Sequence, residues 1–283
     1  MNVHNIQPPE DYVYAHVDIV GFSEFVNSSV GSLVIEAFVE TVRSYNEKVR
    51  RMNQSVGGGY EIIVRSFGDT ISTFFKCGIH DAPLTYVLIG LVRDVQKDLL
   101  MKHNFFLGGG IARGSMHPEV PTGEVMVLAS NLEKNKTWFG VAVSDKIFKI
   151  VSNMARILVR PAPGSNDLVD TAFIKCEGVR YVDYLRLKVP GEETPDAALH
   201  DVVKEHRTAL VSTLHRYKCL LDGSDVPPEK KRQAMKRYSV TLRYHNYVCS
   251  RLSLADDMTI TDSPLTGLDI DTEILDVGNV FNF

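Results

Sequence analysis

Two carboxylates in this sequence stand where strands end. Asp18 closes an apolar run in AHVDIVGFSEF, residues 15–25, and a glycine turn at Gly21 follows it. Asp69 lies in RSFGDTISTFF, residues 65–75, between two β-rich runs. A single acid at such a place serves as a turn residue or a helix cap. Two acids on neighbouring strand ends repel unless a cation neutralises them. Hard carboxylate oxygens suit Mg²⁺ or Mn²⁺, with phosphate oxygens filling the rest of the shell. The chemistry to expect is the metal-assisted handling of a polyphosphate.

The surrounding elements must bring the two acids together. Residues 12–20 alternate as a strand, and Gly21-Phe22-Ser23 turns the chain into a helical pattern carried by Leu33, Val34, Ala37, Phe38, Val42 and Tyr45. The glycines at 57–59 stop that helix. Residues 60–67 and 70–76 read as strands separated only by Gly68-Asp69, a two-residue hairpin signal that sets Asp69 at the tip. A helix over 81–102 and a strand over 105–113 complete the order βαββαβ, an α/β (α+β) arrangement of the ferredoxin-like or palm kind. If the first strand lies beside the hairpin, both carboxylates emerge at one edge.

Beyond that the pattern is less regular. It predicts a loop with Pro118, Pro121 and Gly123, a helix over 127–137, a short strand over 139–143, and a helix capped by Ser144. Further strands are expected over 157–160, 168–175 and 179–187. Composition breaks at PGEETP, residues 190–195, which divides a catalytic domain (1–189) from an extension (190–283). The extension reads as two amphipathic helices, 197–221 and 228–252, followed by an acidic, polar tail without a clear element. The helical pair suits packing or a dimer surface better than chemistry.

Composition excludes several classes. The 283 residues carry 31 Lys and Arg against 35 Asp and Glu, a formal net charge of −4 that argues against nucleic acid and anionic membrane as partners. Cys77, Cys176, Cys219 and Cys249 are scattered, without a CxxC pair, and read as reduced thiols. No basic segment followed by an apolar one opens the chain, and no apolar run approaches the ~20 residues a bilayer requires, so the expectation is a cytoplasmic protein. His16 reads as a core or interface histidine, Trp138 as a core anchor, residues 243–247 as helix packing, and Lys230-Lys231-Arg232 as a solvated helix start.

VDIVGFSEF, FGDTIS and GGGIARG, in that order, resemble the class III nucleotidyl cyclases over residues 12–160. The resemblance implies that Asp18 and Asp69 bind two divalent cations, Mn²⁺ or Mg²⁺, with the Ile19 backbone as a further ligand. It implies that Gly21, Phe22 and Ser23 cradle the triphosphate, and that the active unit is a homodimer with substrate between protomers. The reaction would be attack of a ribose 3′-hydroxyl on the α-phosphorus, with pyrophosphate leaving.

Departures from the pattern bear on the substrate. Where adenine-specific members carry a lysine and an acid, this chain has Arg65 and Val120. A donor-only arginine suits the carbonyl-rich edge of uracil, with cytosine as the alternative. Val127 and Asn131 replace the usual asparagine and arginine of the transition state, leaving Arg113, Lys134 and Lys136 as the nearest cations in sequence. Arg65, ASNLEKNK and RYHNYVCS resemble the bacterial Pycsar pyrimidine cyclases of anti-phage signalling. That implies conversion of UTP, or CTP, to a cyclic nucleotide that activates a separate effector. The rival expectation is an inert cyclase-like module that binds nucleotide or dimerises. A diguanylate cyclase or polymerase is disfavoured by the absence of a GGDEF-like sequence.

Overall fold

The computed structural model describes residues 8–56, 61–78, 81–117, 122–134, 138–158, 172–185, 196–222, 227–252, 254, 258–260 and 281–282. The elements are β1 (Glu10–Ile19), α1 (Phe22–Val26), α2 (Gly31–Val56), β2 (Ile63–Phe67), β3 (Thr70–Lys76), α3 (Asp81–His103), β4 (Leu107–Met116), α4 (Glu124–Lys134), β5 (Val141–Val143), α5 (Asp145–Leu158), β6 (Phe173–Cys176), β7 (Val179–Val182), α6 (Asp196–Asp222), α7 (Pro228–Arg251) and β8 (Phe281–Asn282). The strands form one mixed sheet in the order β2-β3-β1-β4-β5-β7-β6-β8. Its first four strands, with α2 and α3, are the expected βαββαβ unit, and β1 lies antiparallel between β3 and β4.

The two faces of β1 divide the molecule. Val13, Ala15, Val17 and Ile19 point into the large core with Val34, Ala37, Tyr45 and Val49 of α2 and most of α3. Tyr12 and Tyr14 point the other way, into a smaller cluster with Phe74, Ala112, Met116, Val125 and Ala129, over which α4 lies. The register explains how α4 can lie so close. On that second face β4 presents Gly108, Gly110, Ala112 and Gly114 opposite Asp18, His16, Tyr14 and Tyr12. A Cβ on Gly110 would sit 2.2 Å from the Ala129 carbonyl oxygen of α4, so only glycine permits this approach.

Several expectations differ from the structure. Ile157 and Leu158 belong to α5 rather than a strand, because the apolar periodicity that starts at Ile147 and Val151 runs on through them. Residues 159–160, 168–171 and the 190–195 break lie outside the described residues. The tail supplies β8, which pairs Lys175 with Asn282 and Cys176 with Phe281. Helices α6 and α7 share the sheet's core through Val203, Leu210, Leu214, Tyr238 and Tyr244. Trp138 is fully buried against Tyr181 and Tyr244, with ring centroids 5.0 and 4.6 Å away.

A buried polar chain fastens that extension. Tyr184 contacts His206 Nε2 at 2.8 Å, His206 Nδ1 contacts His245 Nδ1 at 2.9 Å, and His245 Nε2 contacts the Met258 carbonyl at 2.8 Å. A carbonyl only accepts, so His245 Nε2 carries its proton and its Nδ1 accepts from His206, whose Nε2 then accepts from Tyr184. In this donor order both imidazoles are neutral. Burial lowers the pKa of each, that of His206 well below its ordinary value, and their proximity pushes His206 further down. Beside them the Tyr244 hydroxyl donates to Asp183 at 2.5 Å and accepts from the Leu185 amide.

Candidate metal and polyphosphate site

Asp18 pairs with Thr70 on β3, and Asp69 immediately precedes Thr70 in the hairpin turn. The register therefore puts the two acids at the same end of neighbouring strands. Gly68, with φ 60°, takes the left-handed position that closes a two-residue turn matched to the strand twist. Asp18 and Asp69 are both partly exposed, whereas the Ile19 side chain is buried at 2%.

Past Ile19 the chain is held by the Val20 amide on the Phe106 carbonyl at 2.9 Å. Gly21 then adopts φ 75° and ψ 21°, and its carbonyl accepts from the Phe25 amide at 2.9 Å. This left-handed glycine reverses the chain into the one-turn helix α1, with Phe22 and Ser23 as its first residues.

Arg65 shares the face of Asp18. Cross-strand partners point to one side, so Arg65, Ser72, His16 and Gly110 form a row across β2, β3, β1 and β4. The Arg65 guanidinium lies 5.4 Å from the Phe74 ring centroid, and the residue is exposed. Val120 and Lys136 lie outside the described residues. Lys134, Val127 and Asn131 are exposed on α4.

Arg113 goes elsewhere. It pairs with Val13, five residues from Asp18 along β1, and faces the opposite side of the sheet. There its guanidinium holds Asp11 at 2.7 Å and Asp81 at 2.9 Å, a clamp between β1 and the start of α3. It does not join the Asp18 edge.

Three residues that sequence reasoning left aside do reach this edge. His16 and Asp18 alternate along β1 and so share a face, and Glu133 descends from the last turn of α4, four residues after Ala129. One ligand atom from each of the three lies within 4.8 Å of the others, and His16 Nε2 stands 3.2 Å from Glu133 Oε2. Asp69 is not in that group. Alternation in HVD was a visible signal for His16; nothing local marked Glu133.

The third is Arg237 of α7. Its neighbour Tyr238 packs on Phe106 and Phe139 at the end of the sheet where Asp18 lies. Burial lowers the Arg237 guanidinium pKa, while the charges of Glu133, Tyr181 and Asp18 pull it back up. Its buried Nε has no hydrogen-bond partner among the described residues.

No protein-family model matches the chain, and no curated protein does. Among solved structures, the chain is similar to a class III adenylyl cyclase-like ATP-binding protein from Pseudomonas aeruginosa, at 12% identity and a TM-score of 0.36, over 56% of this chain and 39% of that one. It is also similar to a bacterial light-regulated adenylyl cyclase, at 13% identity and a TM-score of 0.39, over 72% of this chain and 59% of that one. The chain thus spans less than two thirds of the length of either. No helix among the described residues is long and apolar enough to cross a membrane.

Proposed function

We propose that this chain is a nucleotide cyclase of the class III kind that converts UTP to 3′,5′-cyclic UMP and pyrophosphate. The observation that carries the reading is the β1–β3 register, which sets Asp69 beside the cross-strand partner of Asp18. Two carboxylates at one sheet end, next to a glycine turn, fit a pair of Mn²⁺ or Mg²⁺ ions bound to a triphosphate. The donor set suits those ions: carboxylate oxygens from Asp18 and Asp69, with the Ile19 backbone as a further ligand.

In this reading the ions supply charge stabilisation and a lowered pKa for the attacking hydroxyl. Asp18 and Asp69 fix where that charge sits. The Gly21, Phe22 and Ser23 backbone cradles the phosphates, and Arg65 donates to the base edge from the same face. The ribose 3′-oxygen bonds to the α-phosphorus, the bond from that phosphorus to the oxygen bridging to the β-phosphate breaks, and pyrophosphate carries that oxygen away. The hydroxyl proton passes to solvent. Arg65 offers only donors, which favours the carbonyls of uracil and leaves CTP as the runner-up.

The working unit is a homodimer. Phe67 at the hairpin tip is 90% exposed and Val127 on α4 is 60% exposed, apolar surface beside the proposed site that a second copy would cover. The cyclic nucleotide would act on a separate effector in anti-phage defence.

One observation favours a different reading. The exposed positions Val127 and Asn131 of α4 carry no cation for the transition state, which suits a cyclase-like module that binds nucleotide or dimerises without turnover. Incubating the purified chain with UTP and Mn²⁺ and identifying the product by mass separates the two. Cyclic UMP supports the enzyme, and unchanged UTP with an intact dimer supports the module.

A further inference from the structure

We infer that His16, Asp18 and Glu133 form a site for a single transition-metal ion of the Mn²⁺, Co²⁺ or Zn²⁺ class. This goes beyond the cyclase reading, in which Asp18 and Asp69 hold the ions, and it stands or falls without turnover.

The spacing of the donors suits one ion. Two ligands each about 2.1 Å from an ion, at tetrahedral to octahedral angles, stand about 3.0 to 3.4 Å apart. His16 Nε2 and Glu133 Oε2 stand 3.2 Å apart, and a carboxylate oxygen of Asp18 completes a trio within 4.8 Å. The donor types then select the ion. One imidazole nitrogen with two carboxylate oxygens is a mixed set that first-row transition ions accept, whereas Mg²⁺ and Ca²⁺ prefer oxygen alone.

The scaffold holds the donors at rigid places. His16 sits mid-strand between two hydrogen-bonded neighbours, with Ser72 on one side and Gly110 on the other. Glu133 continues the stripe of α4 that buries Val125 and Ala129, which brings its carboxylate to 3.2 Å from His16 Nε2. The glycines of β4 bring that stripe down onto the sheet. The side chains of His16 and Glu133 are only 22% and 19% exposed, so an ion bound there would meet little competition from water. Arg237 approaches both carboxylates and supplies one positive charge against their two negative ones.

The test uses the metal-free full-length chain and Co²⁺ alone, followed by visible absorption, with no nucleotide present. We expect one bound ion per chain, displaced by Zn²⁺ and not by equimolar Mg²⁺. His16→Gln and Glu133→Gln should each weaken binding at least about 10-fold, the lower bound for losing even an outer partner of a metal ligand. Asp69→Asn should bind Co²⁺ as the wild type does. Thermal melting checks that the variants fold. Independently of any variant, pulsed electron paramagnetic resonance on the Mn²⁺-bound wild type should show nitrogen coupling from a directly bound imidazole. Absence of Co²⁺ binding, displacement by equimolar Mg²⁺, binding indifferent to His16 and Glu133, or a Mn²⁺ signal without nitrogen coupling overturns the inference. Failure of the cyclase reading would show instead as absent cyclic product, with the Co²⁺ result untouched.

Discussion

The molecule groups histidine with other polar side chains in two regions with opposite consequences. At the β1 edge, His16, Asp18 and Glu133 are partly exposed and gather ligand atoms around a common point. Under α6 and α7, His206, His245 and Asp183 are fully buried. There the two imidazoles have a fixed donor order that ends on a carbonyl, and the Tyr244 hydroxyl holds Asp183. The residue types are alike; the difference lies in burial and in what each imidazole meets, a carboxylate in the first region and a second imidazole and a carbonyl in the second. The first region is arranged to accept a cation, and the second is arranged to exclude one and to fasten the C-terminal helices to the sheet.

The largest effect expected from breaking this contrast is on turnover. Asp69→Asn should lower cyclic nucleotide formation by roughly 10³-fold, because metal-held charge supplies several kcal/mol and each ~1.4 kcal/mol is tenfold. Melting temperature should barely move, since Asp69 lies in an exposed turn. A variant that loses both activity and fold would mean the acid is structural.

Gly110→Ala tests how α4 is held over the first region. The new Cβ would meet the Ala129 carbonyl at 2.2 Å. The helix must shift, at a cost of about 1–3 kcal/mol in stability, and Glu133 is carried away from His16. Chemical denaturation should report the first effect and weakened Co²⁺ binding the second.

In the second region, Tyr244→Phe removes the donor to Asp183 and the acceptor for the Leu185 amide. The expected loss is roughly 1–3 kcal/mol, with metal affinity unchanged. The same region predicts a pH effect. His206 and His245 have folded pKa values lowered below the ordinary ~6.5, so above that pH neither state binds the proton and stability is at its full value. As pH falls below ~6.5 the unfolded chain takes up protons that the folded chain refuses, and stability drops by up to about 1.4 kcal/mol per pH unit for each histidine. Melting curves from pH 7 to 5 should show this slope, and His206→Gln should flatten it.

The smallest effect concerns Arg113. Because it clamps Asp11 and Asp81 on the far face, Arg113→Gln should cost about 1 kcal/mol of stability or less and leave turnover intact. A selective loss of activity would return Arg113 to the site.

What could be read from the sequence was local or pinned by a turn. The Gly68-Asp69 hairpin fixes the β2–β3 register over a few residues, and the βαββαβ order then makes β1 the neighbour of β3, so the Asp18–Asp69 edge was legible. Glu133 was not, because it reaches His16 only after α4 docks on the glycine face of β4, a contact between elements that no periodicity announces. Arg237 escaped notice for the same reason, arriving on a helix more than two hundred residues after Asp18. Arg113 misled because a place within GGGIARG does not reveal which face a strand residue takes; one step of alternation sends it to the α3 side. The two residues of β8 are too few to carry any pattern of their own.

Cyclisation of a pyrimidine nucleotide at the Asp18–Asp69 edge is read from the products formed in a competition among substrates. Wild-type chain and Asp69→Asn are each given an equimolar mixture of ATP, GTP, CTP and UTP with Mn²⁺, and the products are identified by mass. The wild type should yield cyclic UMP and pyrophosphate, and the variant almost none. Cyclic purine nucleotide as the sole product, or cyclic UMP undiminished in Asp69→Asn, would contradict it.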